Sequence, residues 1–216
     1  MTPEETLALF QHRYVPRAPD GARLTLLLLH GTGGDENDLL PLGPLIAPGA
    51  ALLSPRGRVL ENGMPRFFRR FGEGVFDVED LKHRTKELGE FVRVARAEYK
   101  LEGAPLFAVG FSNGANIAAS ALLLDPALLD GAVLFRAMVP FEPEAPPALK
   151  GKRVLLAAGR RDPIATPKET ERLREILEGA GADVTVHWSN LGHALSQEDV
   201  DAAASWFSRA TPGGGS

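Results

Sequence analysis

Short apolar runs recur along the chain without polar residues between them: LTLLLL at 24–29, AALL at 50–53, LFAV at 106–109, GAVLF at 131–135 and VLLAA at 154–158. A run that is apolar at successive positions fits a strand covered on both faces, as in a parallel sheet. DVTVHW at 183–188 alternates instead, which predicts a strand nearer an edge. HRYVPR followed by PDGA, before residue 24, predicts an antiparallel hairpin at the start of the chain.

Helical spacing fills the intervals. Leu81, Thr85, Leu88, Val92, Ala95 and Tyr99 share one stripe, with Asp77 placed to cap it. At the next helix Thr166 caps, Pro167 takes the first turn and Glu169 completes a capping box, while Leu173, Ile176, Leu177 and Ala180 form the buried face. A last helix opens at Ser196 and buries Val200, Ala203, Ala204 and Phe207. The alternation predicts one α/β domain over residues 1–210 with a mostly parallel sheet, followed by a flexible tail at 211–216. In such sheets ligands bind at the carboxyl ends of the strands, so the residues after each strand carry the functional reading.

Composition narrows the chemistry. The 216 residues suffice for one sizeable core, and a net charge of −4 argues against a nucleic-acid or anionic-membrane partner. Without cysteine there is no disulfide, thiolate metal site or thiol nucleophile. The acidic start MTPEETLALF lacks the features of a secretion signal, and LTLLLL is too short to span a bilayer. The default expectation is a cytoplasmic protein with no membrane insertion.

GFSNG at 110–114 fits G-x-S-x-G between a strand and a helix, the context of a nucleophile elbow. Side chains at 110 and 114 would collide with the neighbouring strand and helix, so glycine makes the corner possible and the corner exposes Ser112. A serine needs a base and a group to orient that base. His193 lies in NLGHALS, between the last strand and the last helix, and is the expected base. Asp162 in AGRRDPI follows a strand and completes the chain order Ser, Asp, His of α/β-hydrolases. His12 and His83 fall on polar segments and His187 lies inside a strand. HGTGG at 30–34 forms a glycine-rich turn after the first long strand, with the Thr32 amide as one expected oxyanion donor and the Asn113 amide as the other. His30 is expected to order this turn. Phosphate-binding patterns are absent or incomplete.

HGTGGDENDL, SPRG, FDVEDL, GFSNGA, AMVPFEPE, AGRRDPI and GHALSQEDV, in that order, resemble bacterial members of the phospholipase/carboxylesterase family of α/β-hydrolases over roughly residues 10–208. The resemblance implies an α/β-hydrolase fold with a mostly parallel central sheet, flanking helices and no separate cap domain. It implies a serine esterase that uses no cofactor and no metal, with Ser112, Asp162 and His193 as the triad and Thr32 and Asn113 as the oxyanion amides. Acyl-protein thioesterases of that family carry Gln after the serine and Leu in the oxyanion turn. Asn113 and Thr32 stand there instead, which favours small soluble esters.

Two long segments, 55–77 and 136–152, are expected to build the pocket. Met138, Val139 and Ile164 should wall the acyl side, with Phe67, Phe68 and Phe71 at the mouth. Arg66, Arg69 and Arg70 would attract an anionic ester, or pair with Glu73 and Asp77 at a solvated surface. The expected partner is a small-molecule ester, and a homodimer is compatible with the sequence. A thioesterase or lysophospholipase with the same triad, and a catalytically silent binding protein, stand as alternatives.

Overall fold

The computed structural model describes residues 2–210. The chain runs α1 (Pro3–Ala8), β1 (His12–Val15), β2 (Thr25–Leu29), a single 3-10 turn at Leu40–Leu42, α2 (Gly43–Ile46), β3 (Ala51–Pro55), β4 (Val59–Glu61), β5 (Met64–Arg66), β6 (Arg70–Gly72), β7 (Val75–Phe76), α3 (Val78–Glu98), β8 (Leu106–Phe111), α4 (Asn113–Leu124), β9 (Gly131–Phe135), β10 (Arg153–Gly159), α5 (Pro167–Gly179), β11 (Asp183–Ser189) and α6 (Gln197–Ala210). The flexible tail expected at 211–216 lies outside the described residues.

A seven-stranded sheet has the order β1-β3-β2-β8-β9-β10-β11. Within it only β1 is antiparallel to its neighbour; β3, β2, β8, β9, β10 and β11 run parallel. The apolar runs are strands buried on both sides. In β2, Leu27 and Leu29 face a core shared with α3, α4 and α5, while Leu26 and Leu28 face a second core shared with α2 and α6. The alternating β11 is the edge strand, as its pattern predicts. This is the architecture of an α/β-hydrolase, with no separate cap domain among the described residues.

The predicted N-terminal hairpin does not form. β1 pairs with β3, aligning Tyr14 with Leu53, and not with β2. The intervening PDGA segment instead docks on the turn before β3: Ala18 N–H donates to Gly49 O at 2.9 Å and Ala22 N–H to Pro48 O at 3.1 Å. The approach is so close that a Cβ on Gly21 would stand 2.0 Å from Gly49 O.

The helices keep their predicted faces, with one exchange: in α6 Trp206 is buried and Ala204 is only partly so. Asp77 and Thr166 cap α3 and α5 as expected. The Glu169 carboxylate does not close a capping box, however. It accepts from Val139 N–H at 3.1 Å and so ties the 136–152 segment to α5. The segment 55–77 is not an open loop but two antiparallel hairpins, β4–β5 and β6–β7.

Candidate active site

The strand order reverses between β2 and β8, so a crevice opens where their carboxyl ends diverge. Gly31 and Thr32 follow β2, and Ser112 follows β8. Ser112 has φ 51° and ψ −112°, a conformation an L-residue adopts only under strain. Its backbone is fixed from both sides: Ser112 N–H donates to Phe135 O at 2.9 Å and Asn116 N–H donates to Ser112 O at 2.9 Å. The flanking glycines are required by contact. A Cβ on Gly114 would lie 1.9 Å from Leu29 O in β2, and one on Gly110 would lie 2.6 Å from Ala115 N in α4.

Three predicted residues meet at this corner. His193 Nε2 is 2.8 Å from Ser112 Oγ, and His193 Nδ1 is 2.8 Å from Asp162 Oδ2. A carboxylate can only accept, so Nδ1 carries the proton and Nε2 is left as the acceptor facing the serine hydroxyl. Asp162 is buried, and its other oxygen accepts from Ile164 N–H at 2.8 Å and Ala165 N–H at 3.0 Å. Those two bonds fix the carboxylate, so Oδ2 stays aimed at the imidazole.

The two expected oxyanion donors lie beside Ser112. Asn113 is the first residue of α4, where an amide has no intrahelical acceptor. Thr32 N–H donates to no acceptor among the described residues. The turn that carries Thr32 is held by its neighbours. Arg66 Nη1 donates to Thr32 Oγ1 at 2.6 Å, and Gly33 N–H donates to Pro65 O at 2.9 Å. His30, fully buried, bridges the same turn to the following segment. Its Nδ1 lies 2.6 Å from Gly31 O, and its Nε2 accepts from Gly57 N–H at 2.9 Å. Burial holds the His30 pKa below the ordinary histidine value, opposed by the bond to Gly31. His30 therefore orders the turn as a neutral ring.

A cavity of about 200 Å³ opens onto Ser112 and His193. Met138 and Ile164 line it, as expected. Phe67, Phe68, Phe71 and Val139 do not. Phe67 and Phe68 turn into the core beneath the hairpins, Phe68 edge-on to Phe76. Phe71 is 78% exposed, and Val139 packs against the core through a segment held by Glu169. The aromatic walls are Phe76 and Phe111 instead, and three arginines border the cavity: Arg66, Arg70 and Arg136, the last with its side chain fully buried. Arg66 is desolvated, which together with nearby Arg70 lowers its pKa to about 10. Both arginines pair with Glu61, and Arg69 pairs with Asp77; Glu73 pairs with none of them. The signal for this arrangement was the Asn62-Gly63 pair, which turns β4 into β5 with φ 52° and 80°.

Asn113 and Asn116 have a further part in the geometry. Asn113 Oδ1 accepts from Phe67 N–H at 2.7 Å, and Asn116 Oδ1 accepts from Met138 N–H at 2.8 Å. The first turn of α4 thus holds one segment on each side of the cavity. Among the described residues no group of three or more His, Asp or Glu could hold a metal ion, and no helix is long and apolar enough to cross a membrane.

Residues 76–210 match the model of the dienelactone hydrolase family. "Putative hydrolase MhqD" of Bacillus subtilis (strain 168) is 48% identical over 185 residues, which are 86% of this chain and 92% of that protein. Among solved structures, a carboxylesterase from Bacillus cereus superposes with a TM-score of 0.91 at 47% identity, covering 98% of this chain and 100% of that one. A carboxylesterase from Mesorhizobium loti has a TM-score of 0.86 at 30% identity, over 93% and 95% of the two chains.

Proposed function

The chain belongs to the dienelactone hydrolase family and is a carboxylic ester hydrolase, and on that premise we propose that it cleaves small, short-chain esters through Ser112, His193 and Asp162. The observation that carries the reading is the unbroken relay of two 2.8 Å contacts from Ser112 Oγ through the imidazole to Asp162. Ser112 Oγ attacks the ester carbonyl while His193 Nε2 takes its proton. Asp162 holds the tautomer and offsets the imidazolium charge. The amides of Thr32 and Asn113 receive the developing oxyanion. His193 then protonates the leaving alcohol, activates water against the acyl-enzyme and returns the proton to Ser112.

The cavity supports a small acyl group. At about 200 Å³ it holds a few carbons beyond the carbonyl. Each methylene that fits adds about 0.8 kcal/mol, and those that do not fit add nothing. The optimum is therefore expected at roughly two to six acyl carbons by that area argument. A p-nitrophenyl ester series, measured on wild type and on Ser112→Ala, tests both parts. The variant should lose about 10⁴-fold or more in kcat with its fold intact. Undiminished turnover by pure Ser112→Ala would refute the mechanism. A palmitoyl optimum below the micelle-forming concentration would replace the substrate class with that of a thioesterase or lysophospholipase.

A further inference from the structure

Behind the histidine loop lies an ion pair with no solvent access, Arg136 and Asp199, whose side chains are both 0% exposed. No step above uses either residue. Arg136 directly follows β9, and its backbone sits at φ 56°, in the left-handed region that a non-glycine residue enters only at a cost. In that conformation its own N–H donates to Ala157 O at 2.9 Å, and its side chain reaches across to the end of β11.

Every donor of the guanidinium is engaged. Nε donates to Gly192 O at 2.9 Å. Nη1 donates to Ala157 O and Asp199 Oδ1, each at 3.0 Å. Nη2 donates to Asp199 Oδ2 at 2.7 Å and Ala194 O at 3.1 Å, with Ser189 Oγ at 3.2 Å. Two of these acceptors are the carbonyls on either side of His193. Asp199, for its part, also accepts from Ser196 N–H at 3.0 Å and Ser196 Oγ at 2.6 Å, so the counter-charge is fixed at the start of α6. The nucleophile shares the same support: Ser112 N–H bonds Phe135 O, one residue before Arg136.

An ion pair that merely joined α6 to the sheet would account for the bonds to Asp199. It would leave the bonds to Gly192 and Ala194 without a purpose. We propose that Arg136 is a positioning residue, whose guanidinium holds the loop on both sides of His193 so that Nε2 stays within hydrogen-bond reach of Ser112 Oγ. The inference rests on the triad reading given above. Lysine cannot substitute, because three donors on one nitrogen do not reproduce a planar fork that spans two carbonyls and a carboxylate.

Two variants test this. Arg136→Lys keeps the buried charge paired. Arg136→Met/Asp199→Asn removes both charges and keeps an acceptor for Ser196, and replacing a buried pair by neutral groups commonly leaves the fold in place. Circular dichroism and thermal unfolding establish the fold, and kinetics are measured well below the unfolding midpoint. Both variants should lose about a hundredfold in kcat with KM within about threefold, the signature of a displaced catalytic group. The low-field proton resonance of His193 Nδ1–H, bonded to Asp162, should shift or vanish in the folded variants. A folded variant with near wild-type kcat, or one with low kcat and an unchanged resonance, overturns the proposal. So does failure of both variants to fold, which would assign Arg136 to the fold alone. Ser112→Ala run alongside separates the two readings: if it keeps turnover, the triad reading has failed, and the resonance still reports whether Arg136 positions His193.

Discussion

Ser112 carries strain that can be weighed by two inactive variants. At φ 51° and ψ −112° a residue with a Cβ is held in a sparsely populated region, at a cost of about 1–3 kcal/mol. Ser112→Ala keeps the Cβ and therefore the strain. Ser112→Gly removes it, but the freer unfolded chain costs back about 0.5–1 kcal/mol. Both variants lose the hydroxyl and its bond to His193, so that interaction cancels when they are compared with each other. The backbone bonds to Phe135 and from Asn116 persist in both. Ser112→Gly should then be more stable than Ser112→Ala by about 1 kcal/mol, the difference of the two mid-range figures. Urea unfolding reads this as a higher midpoint at unchanged slope, and thermal unfolding as a rise of about 2–4 °C for a chain of this size. An alanine variant as stable as the glycine variant, or more so, would refute the claim that the corner is strained.

Gly114→Ala should destabilise by more than about 3 kcal/mol or prevent folding, because its Cβ would enter the Leu29 carbonyl; Gly63→Ala, with positive φ but open space, should cost only about 1 kcal/mol in the same urea assay. Met138→Ala should move the acyl optimum two or three carbons longer on p-nitrophenyl esters, each added methylene raising kcat/KM about fourfold while it fits; an unmoved optimum would show that Met138 does not close the cavity. Because burial lowers the His30 pKa, the unfolded chain binds the proton first, so its stabilising share is complete above about pH 6.5 and declines as pH falls through that value towards the folded one. The urea midpoint of the wild type should accordingly drop between about pH 7 and pH 5, and more steeply than that of His30→Gln. Asp162→Asn should fold and lose about 10⁴-fold in kcat, since the imidazole tautomer is no longer enforced, while Asp183→Asn should leave kcat unchanged.

The strands and the serine corner were legible because their causes are local. A strand buried on both faces must be apolar at each position, and a strand-to-helix corner with neighbours at 1.9 and 2.6 Å must have glycine. What escaped the sequence depends on partners far along the chain. β1 reads as the start of a hairpin, but the contact between Gly21 and Gly49 that diverts the chain joins two distant turns. Phe67 and Phe68 read as pocket residues because an aromatic in a long segment carries no mark of which side faces the core. The strands of the two hairpins are only two or three residues long, too short for a period-two pattern to mark them. Arg136 resembles any surface arginine until Gly192, Ala194 and Asp199 are brought around it.

The two asparagines on the first turn of α4 separate what can change from what cannot. Each holds a pocket segment by its backbone, at Phe67 and at Met138, and so constrains position without dictating side chain. The outer turns of the hairpins lie beyond these anchors: Gly63 and Gly72 have no neighbour within 4 Å of an added Cβ. Substitutions there, and at exposed positions such as Leu60, Phe71 and Val75, alter what surrounds the mouth while Ser112 keeps its place. The fold therefore gives selection a replaceable rim around a fixed reaction centre, and divergence among related enzymes should collect at rim positions such as 60, 71, 72 and 75 before it reaches the elbow.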